Sequence, residues 1–293
     1  MITASRSQIL FVFLCAASIL LWWRPLAATF ELALANDAYT HILLIVPLSA
    51  GLIYLDSKIA RVEARPSFGA GAAVLLVALL IGGYARWGLG VHGDVALSLS
   101  MLALATWWIG SIIFCFGARI FERFLFPLCF LLLIVPIPEF VLKWIVEFLQ
   151  QQSAVAASLM FRAAGVPVAQ DGIRVTIPGL EVEVARECSS IRSSLMLLVT
   201  TLVMAHLFLR SWWRKLLLVT AAIPLSVAKN GLRIFVIAEL GTRVDPGFLN
   251  GRLHHNGGVI FLAISVVVMV VLLWMLRRTE LHVQPKHHVA LAE

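Results

Sequence analysis

Eight stretches of this chain are too apolar to be solvated by water. They fall near 9–23, 39–55, 68–84, 95–116, 121–136, 190–209, 215–240 and 256–276, and most approach the roughly 20 residues that cross a bilayer core as a helix. Backbone polar groups in that core have no water to bond, so each run is expected to satisfy them internally as a helix. Composition agrees: 61% of the 293 residues are apolar and 13% charged, against roughly 25% charged in soluble domains. The fold class expected is an all-α integral membrane bundle of about eight transmembrane helices. It reads as a single polytopic domain over residues 1–293, ending in a cytoplasmic tail at 277–293.

The formal net charge of +7 does not imply nucleic acid, because the basic residues are dispersed through short loops and form no single patch. They act as topology signals. With the amino terminus inside, the inner segments collect Lys58, Arg61 and Arg65, then Arg119 and Arg123, then Arg210, Arg214 and Lys215, then Arg277 and Arg278. The outer segments hold fewer, scattered basics, which puts both termini in the cytoplasm. Ala33-Leu34-Ala35 resembles a signal-peptide cleavage site but lies too far beyond the first run, so that run is read as a retained first span.

Residues 139–165 follow Pro136-Ile137-Pro138 and admit two readings, a ninth span or an amphipathic helix at the outer interface. Lys143, Glu147 and Gln150-Gln151-Gln152 are costly in hydrocarbon, which favours the interfacial helix. Next, 171–177 and 180–184 alternate in polarity around Pro178-Gly179 and predict a β-hairpin leading into Cys188. Interfacial helix and hairpin together occupy 139–187, and the helices expected to carry chemistry occupy 188–276.

Three clusters hold candidate chemistry. Cys188, in Arg186-Glu187-Cys188-Ser189-Ser190-Ile191-Arg192, opens a span, where the helix dipole and Arg192 would favour a thiolate; the plain alternative is a small residue at a helix start. Cys15, Cys115 and Cys129 sit inside apolar runs and read as packing residues. Lys229-Asn230-Gly231-Leu232-Arg233 lies within the seventh span, where ionisable groups mark an interior or a cavity unless they snorkel to the headgroups. Arg252-Leu253-His254-His255-Asn256-Gly257-Gly258 precedes the last span and brings proton-exchanging histidines to the same outer face, or is simply an interfacial loop.

Other polar residues have plainer readings. Asp37, Tyr39 and His41 open the second span and would line a site or form an interfacial cap. His206 reads as a packing residue, and the tryptophan pairs 22–23, 107–108 and 212–213 as anchors or bundle packing. No metal-ligand spacing and no Gly-rich phosphate loop is present, so no cofactor and no metal is expected.

In this order the motifs resemble the exosortase and archaeosortase family. They run from Tyr39-Thr40-His41-Ile42, through Val135-Pro136-Ile137-Pro138, Gly165-Val166-Pro167-Val168 and Glu187-Cys188-Ser189-Ser190-Ile191-Arg192, to Asn230-Gly231-Leu232-Arg233-Ile234 and the His-rich start of the last span. The resemblance implies a membrane cysteine peptidase or transpeptidase of the bacterial inner membrane, with its site at the outer face. Its substrates would be exported proteins bearing a carboxy-terminal sorting signal: a Pro-Glu-Pro-like motif, a transmembrane helix and a basic tail. It implies Cys188 as nucleophile, Arg233 as oxyanion stabiliser and one of His254 or His255 as acid and base. His254 is preferred because Gly258 lies four residues later; His255 remains the alternative. Ser190 stands where the family usually has glycine. Membrane lipid is the other partner, and water, an amine or a lipid the acceptor. The rival readings are a small transporter or channel using Lys229, Arg233 and the histidines, and a histidine-dependent membrane acyltransferase.

Overall fold

The computed structural model describes the backbone of residues 4–59, 65–184, 191–250 and 252–282. It resolves two compact units, residues 1–142 and 143–293. Among the described residues seven helices are long and apolar enough to cross a membrane, or up to eight if one bent pair counts as a span. This meets the expected bundle.

In the first unit, α1 (Ala4–Ala35) is longer than its apolar run and is kinked at Trp22, three residues before Pro25. Helices α2 (Ile42–Ile59), α3 (Phe68–Trp87) and α4 (Gly93–Phe116) follow. Trp22, Trp107 and Trp108 pack inside this unit, whereas Trp23 and Trp87 are exposed. Trp107 and Trp108 donate their indole N–H to Leu14 O and Ser18 Oγ, each at 3.0 Å, and the Trp22 ring lies 5.7 Å from that of Trp107.

The fifth apolar run is not one span. It breaks into α5 (Ala118–Arg123), α6 (Leu125–Phe130) and a 3-10 turn at Leu131–Ile134. Phe124 leaves the helical region (φ −102°, ψ 25°), and Pro127, which has no N–H to donate, is accommodated because a new helix begins just before it. Of these pieces Leu125–Ile134 alone enters a candidate span, and only as a bent pair with α7 (Glu139–Ala163). The intervening loop is tied down by polar groups. Ser98 Oγ donates to Pro136 O at 2.7 Å and Tyr39 Oη to Ile137 O at 2.8 Å. The Asp94 carboxylate accepts the Glu139 N–H at 2.5 Å, capping an orphan donor at the start of α7.

The second unit is built on α7, a small sheet, α8 (Ile191–Phe208), α9 (Trp212–Arg243), α10 (Gly247–Asn250) and α11 (Arg252–His282). The expected hairpin is a three-stranded antiparallel sheet, β1 (Ala169–Asp171), β2 (Arg174–Ile177) and β3 (Leu180–Glu183). The run 171–177 splits because Asp171 pairs with Arg174, leaving Gly172-Ile173 as a two-residue turn. The second turn is the expected Pro178-Gly179, where Gly179 takes φ 81°, the sign required at the second central position of a type II turn.

Two apolar clusters hold this unit together. One joins Ala154, Ala157 and Phe161 of α7 to Val175 and Ile177 of β2, to Val184, and to Ile234 and Ala238 of α9. The other joins Leu197 and Ala205 of α8, Leu218 and Ala222 of α9, and Met269 and Leu273 of α11. At the far end of α11 the Glu280 carboxylate accepts the backbone N–H groups of Arg210 (3.2 Å) and Ser211 (2.6 Å) and pairs with Arg214 at 3.4 Å. One acidic side chain thus satisfies donors of the α8–α9 turn and neutralises a buried arginine. Arg277 and Arg278, read from sequence as the start of the tail, stand within α11.

Candidate active site

The seventh apolar run becomes α9, and its polar interruption faces inward. Lys229, Asn230 and Arg233 are 5%, 1% and 8% exposed. That burial excludes snorkelling to the headgroups, the bland reading of these residues. Each of the first two has a side-chain partner on another helix. Lys229 Nζ donates to the hydroxyl of Ser193 in the first turn of α8. Asn230 Nδ2 donates to Ser153 Oγ of α7 at 3.1 Å.

Gly231 explains how α9 comes close enough to α7 for this. A Cβ on Gly231 would stand 2.6 Å from Ala156 Cβ and 3.0 Å from Ala157 N, so only glycine permits the approach. One turn along, Phe161 and Phe235 meet edge to face at 5.0 Å. A second buried amide completes the pattern: Gln150 Nε2 donates to Val184 O at 2.6 Å, and the Val184 N–H is bonded to Ile173 O at 3.0 Å. Val184 is fully buried.

Cys188 lies outside the described residues. The described residues flanking it are nevertheless fixed, Val184 by Gln150 and the first turn of α8 by Lys229. Arg192, also in that turn, is exposed. His254 and His255 fall in the first turn of α11, where the backbone is described and their side chains are not. Of the sequence candidates, the structure therefore brings together the Lys229–Arg233 face of α9 and the start of α8.

Tyr39 and His41 are buried in the first unit. Tyr39 holds the 135–138 loop, and the His41 ring bonds Ala38 O at 3.2 Å. Cys115 is buried, Cys15 half-buried and Cys129 exposed. Among the described residues no group of three or more His, Cys, Asp or Glu could hold a metal ion.

Sequence reasoning took Gln150 only as a cost in hydrocarbon and passed over Ser153 and Ser193. The signal for Gln150 and Ser153 was present. Gln150, Ser153, Ala154, Ala157 and Phe161 recur at three- and four-residue spacing, the polar-and-small stripe by which helices pack in lipid.

No curated protein and no solved structure matches the chain. A protein-family match covers residues 22–274, from within α1 almost to the end of α11, and that family is described as Transmembrane exosortase. With its buried polar face on α9 and its multiple apolar helices, this chain is a multi-pass membrane protein belonging to the transmembrane exosortase family.

Proposed function

We propose that the chain is a membrane cysteine protease or transpeptidase that cleaves the carboxy-terminal sorting signal of exported proteins. The observation that carries this reading is Arg233, a permanent cation buried in the second unit one helical turn from the Lys229–Ser193 bond. A three-residue connection reverses the chain between α8 and α9, so the two run antiparallel. Moving four residues along α9 from Lys229 to Arg233 advances about 6 Å, toward the end of the layer at which α8 begins, Ile191. The first turn of α11, with His254 and His255, belongs to the same end of this helical layer.

In the proposed reaction the Cys188 thiolate attacks the scissile carbonyl carbon, and a tetrahedral oxyanion forms. The Arg233 guanidinium, always protonated and in a low-dielectric setting, stabilises that charge as it develops. Collapse breaks the C–N bond, and the protonated imidazole of His254, or of His255, supplies the proton to the departing amine. The resulting thioester is attacked by water, an amine or a lipid, and the neutral histidine takes the proton that this second nucleophile releases. The thioester bond breaks and the thiolate returns. The substrate carries a Pro-Glu-Pro-like motif, a transmembrane helix and a basic tail. The site faces outward from the bacterial inner membrane.

Processing of such a substrate in cells lacking other enzymes of this kind tests the reading. Cys188→Ala is expected to reduce cleavage at matched expression by about 10³-fold or more, and loss in only one of His254→Ala and His255→Ala identifies the acid. Undiminished cleavage by Cys188→Ala overturns the proposal. Solute flux surviving Cys188→Ser would then favour a transporter built on Lys229 and Arg233.

A further inference from the structure

Lys229 has no task in the reaction just described, yet it is 5% exposed in an apolar helix. Among the described residues no acidic side chain pairs with it, and its polar partner is a neutral hydroxyl, Ser193. An ammonium held in this way costs stability that a methionine of similar length would not. An ionisable residue so placed is by default a mark of function.

Its surroundings leave it little freedom. The next residue, Asn230, is bonded to Ser153, and Gly231 is pressed against the backbone of α7. The α9 backbone at Lys229 is thereby fixed, and the bond it makes transmits that fixity to Ser193, 8% exposed in the first turn of α8. Ser193 lies five residues after Cys188. A helix start is free to fray or rotate because its first backbone donors lack intrahelical partners. A side-chain tie from a neighbouring helix removes that freedom.

We propose that Lys229 is a positioning residue that locks the first turn of α8 through the Ser193 hydroxyl and so sets the direction from which the thiolate approaches the scissile carbonyl. This rests on Cys188 being the nucleophile. The Lys229–Ser193 bond acts in the reaction step and contributes little to substrate affinity, because misplacing a reacting group by about 1 Å costs about 100-fold in rate.

The full-length protein in detergent or proteoliposomes, with Cys15, Cys115 and Cys129 replaced by alanine, provides the test. Lys229→Met and Ser193→Ala are each expected to lower kcat by about 10- to 100-fold with KM within about twofold, and the double variant to be no worse than either single one. Ser193→Thr, which keeps the hydroxyl, is expected to restore kcat. The rate of Cys188 alkylation by a maleimide should fall in the same two variants, while the thermal midpoint of Lys229→Met stays level or rises. Wild-type kcat and wild-type alkylation in both variants would overturn the inference. So would additive losses, or losses that only follow a lowered midpoint. Alkylation needs no substrate, so it still reads this inference if Cys188→Ala goes on cleaving and the proposed reaction fails.

Discussion

The two units bury their polar groups in different ways. In residues 1–142 the buried polar side chains among those described carry no permanent charge: serines, a threonine and His41. Most of those with hydrogen bonds spend them on backbone carbonyls, as Ser49 does on Pro127 O (2.6 Å), Ser98 on Pro136 O and Ser111 on Trp107 O. In residues 143–293 the buried set includes Lys229, Arg233 and Arg214 together with Gln150 and Asn230, and Lys229 and Asn230 bond the side chains of other helices. Neutral hydroxyls satisfy a helix or hold a loop at small cost. Arg214 is neutralised by Glu280, whereas buried Lys229 and Arg233 raise the cost of folding within an apolar helix and so mark where the chemistry is expected.

The sharpest way to break this contrast is to substitute one residue from each unit. Arg233→Ala is expected to reduce cleavage by about 10²- to 10³-fold, the cost of removing one oxyanion donor. Tyr39→Phe should lower stability by about 0.5–1.5 kcal/mol and leave kcat in place. Equal losses of kcat in the two variants, measured at matched folded amounts, would erase the distinction.

Next in size is the close approach of α9 to α7. Gly231→Leu forces atoms into a gap already 2.6 Å from Ala156 Cβ at the Cβ position and is expected to cost about 1–3 kcal/mol by overpacking, read as a lower thermal midpoint in detergent. Glu280→Gln keeps the size of the side chain but removes its charge from Arg214 and weakens the hold on the Arg210 and Ser211 N–H groups. The expected loss is about 1–2 kcal/mol. Because Glu280 lies far along the chain from the α9 site, that loss should appear in the midpoint with kcat per folded molecule unchanged. Smallest is Asn230→Ala, whose interhelical bond to Ser153 should be worth about 0.6 kcal/mol in a membrane bundle. A midpoint that does not move would show that the α7–α9 contact rests on the close approach at Gly231 and the apolar packing beside it.

Much of this was legible in the sequence for physical reasons. Lys229 and Arg233 stood out because charge inside an apolar run is expensive, and the helices stood out because apolar runs need internal hydrogen bonds. The fifth run misled because hydropathy does not register the break at Phe124 or the way Pro127 sits at the start of a fresh helix. Asp171-Gly172 was absorbed into a strand because polarity alternates straight through it, although Asp-Gly is itself a turn signal. Gln150 was read as an expense in hydrocarbon. Its amide is in fact buried against Val184 O, and a partner that distant in sequence cannot be seen in the local pattern.

Whether buried Lys229 and Arg233 serve a cysteine nucleophile is tested most directly by a covalent intermediate. The purified protein would be mixed with a sorting-signal substrate, quenched in acid and examined by intact and peptide mass spectrometry, with and without hydroxylamine. The account predicts a hydroxylamine-labile acyl adduct on Cys188, absent in Cys188→Ala and formed more slowly in Arg233→Ala. Substrate turnover with no adduct on Cys188 at any time, and at an undiminished rate in Cys188→Ala, would contradict it.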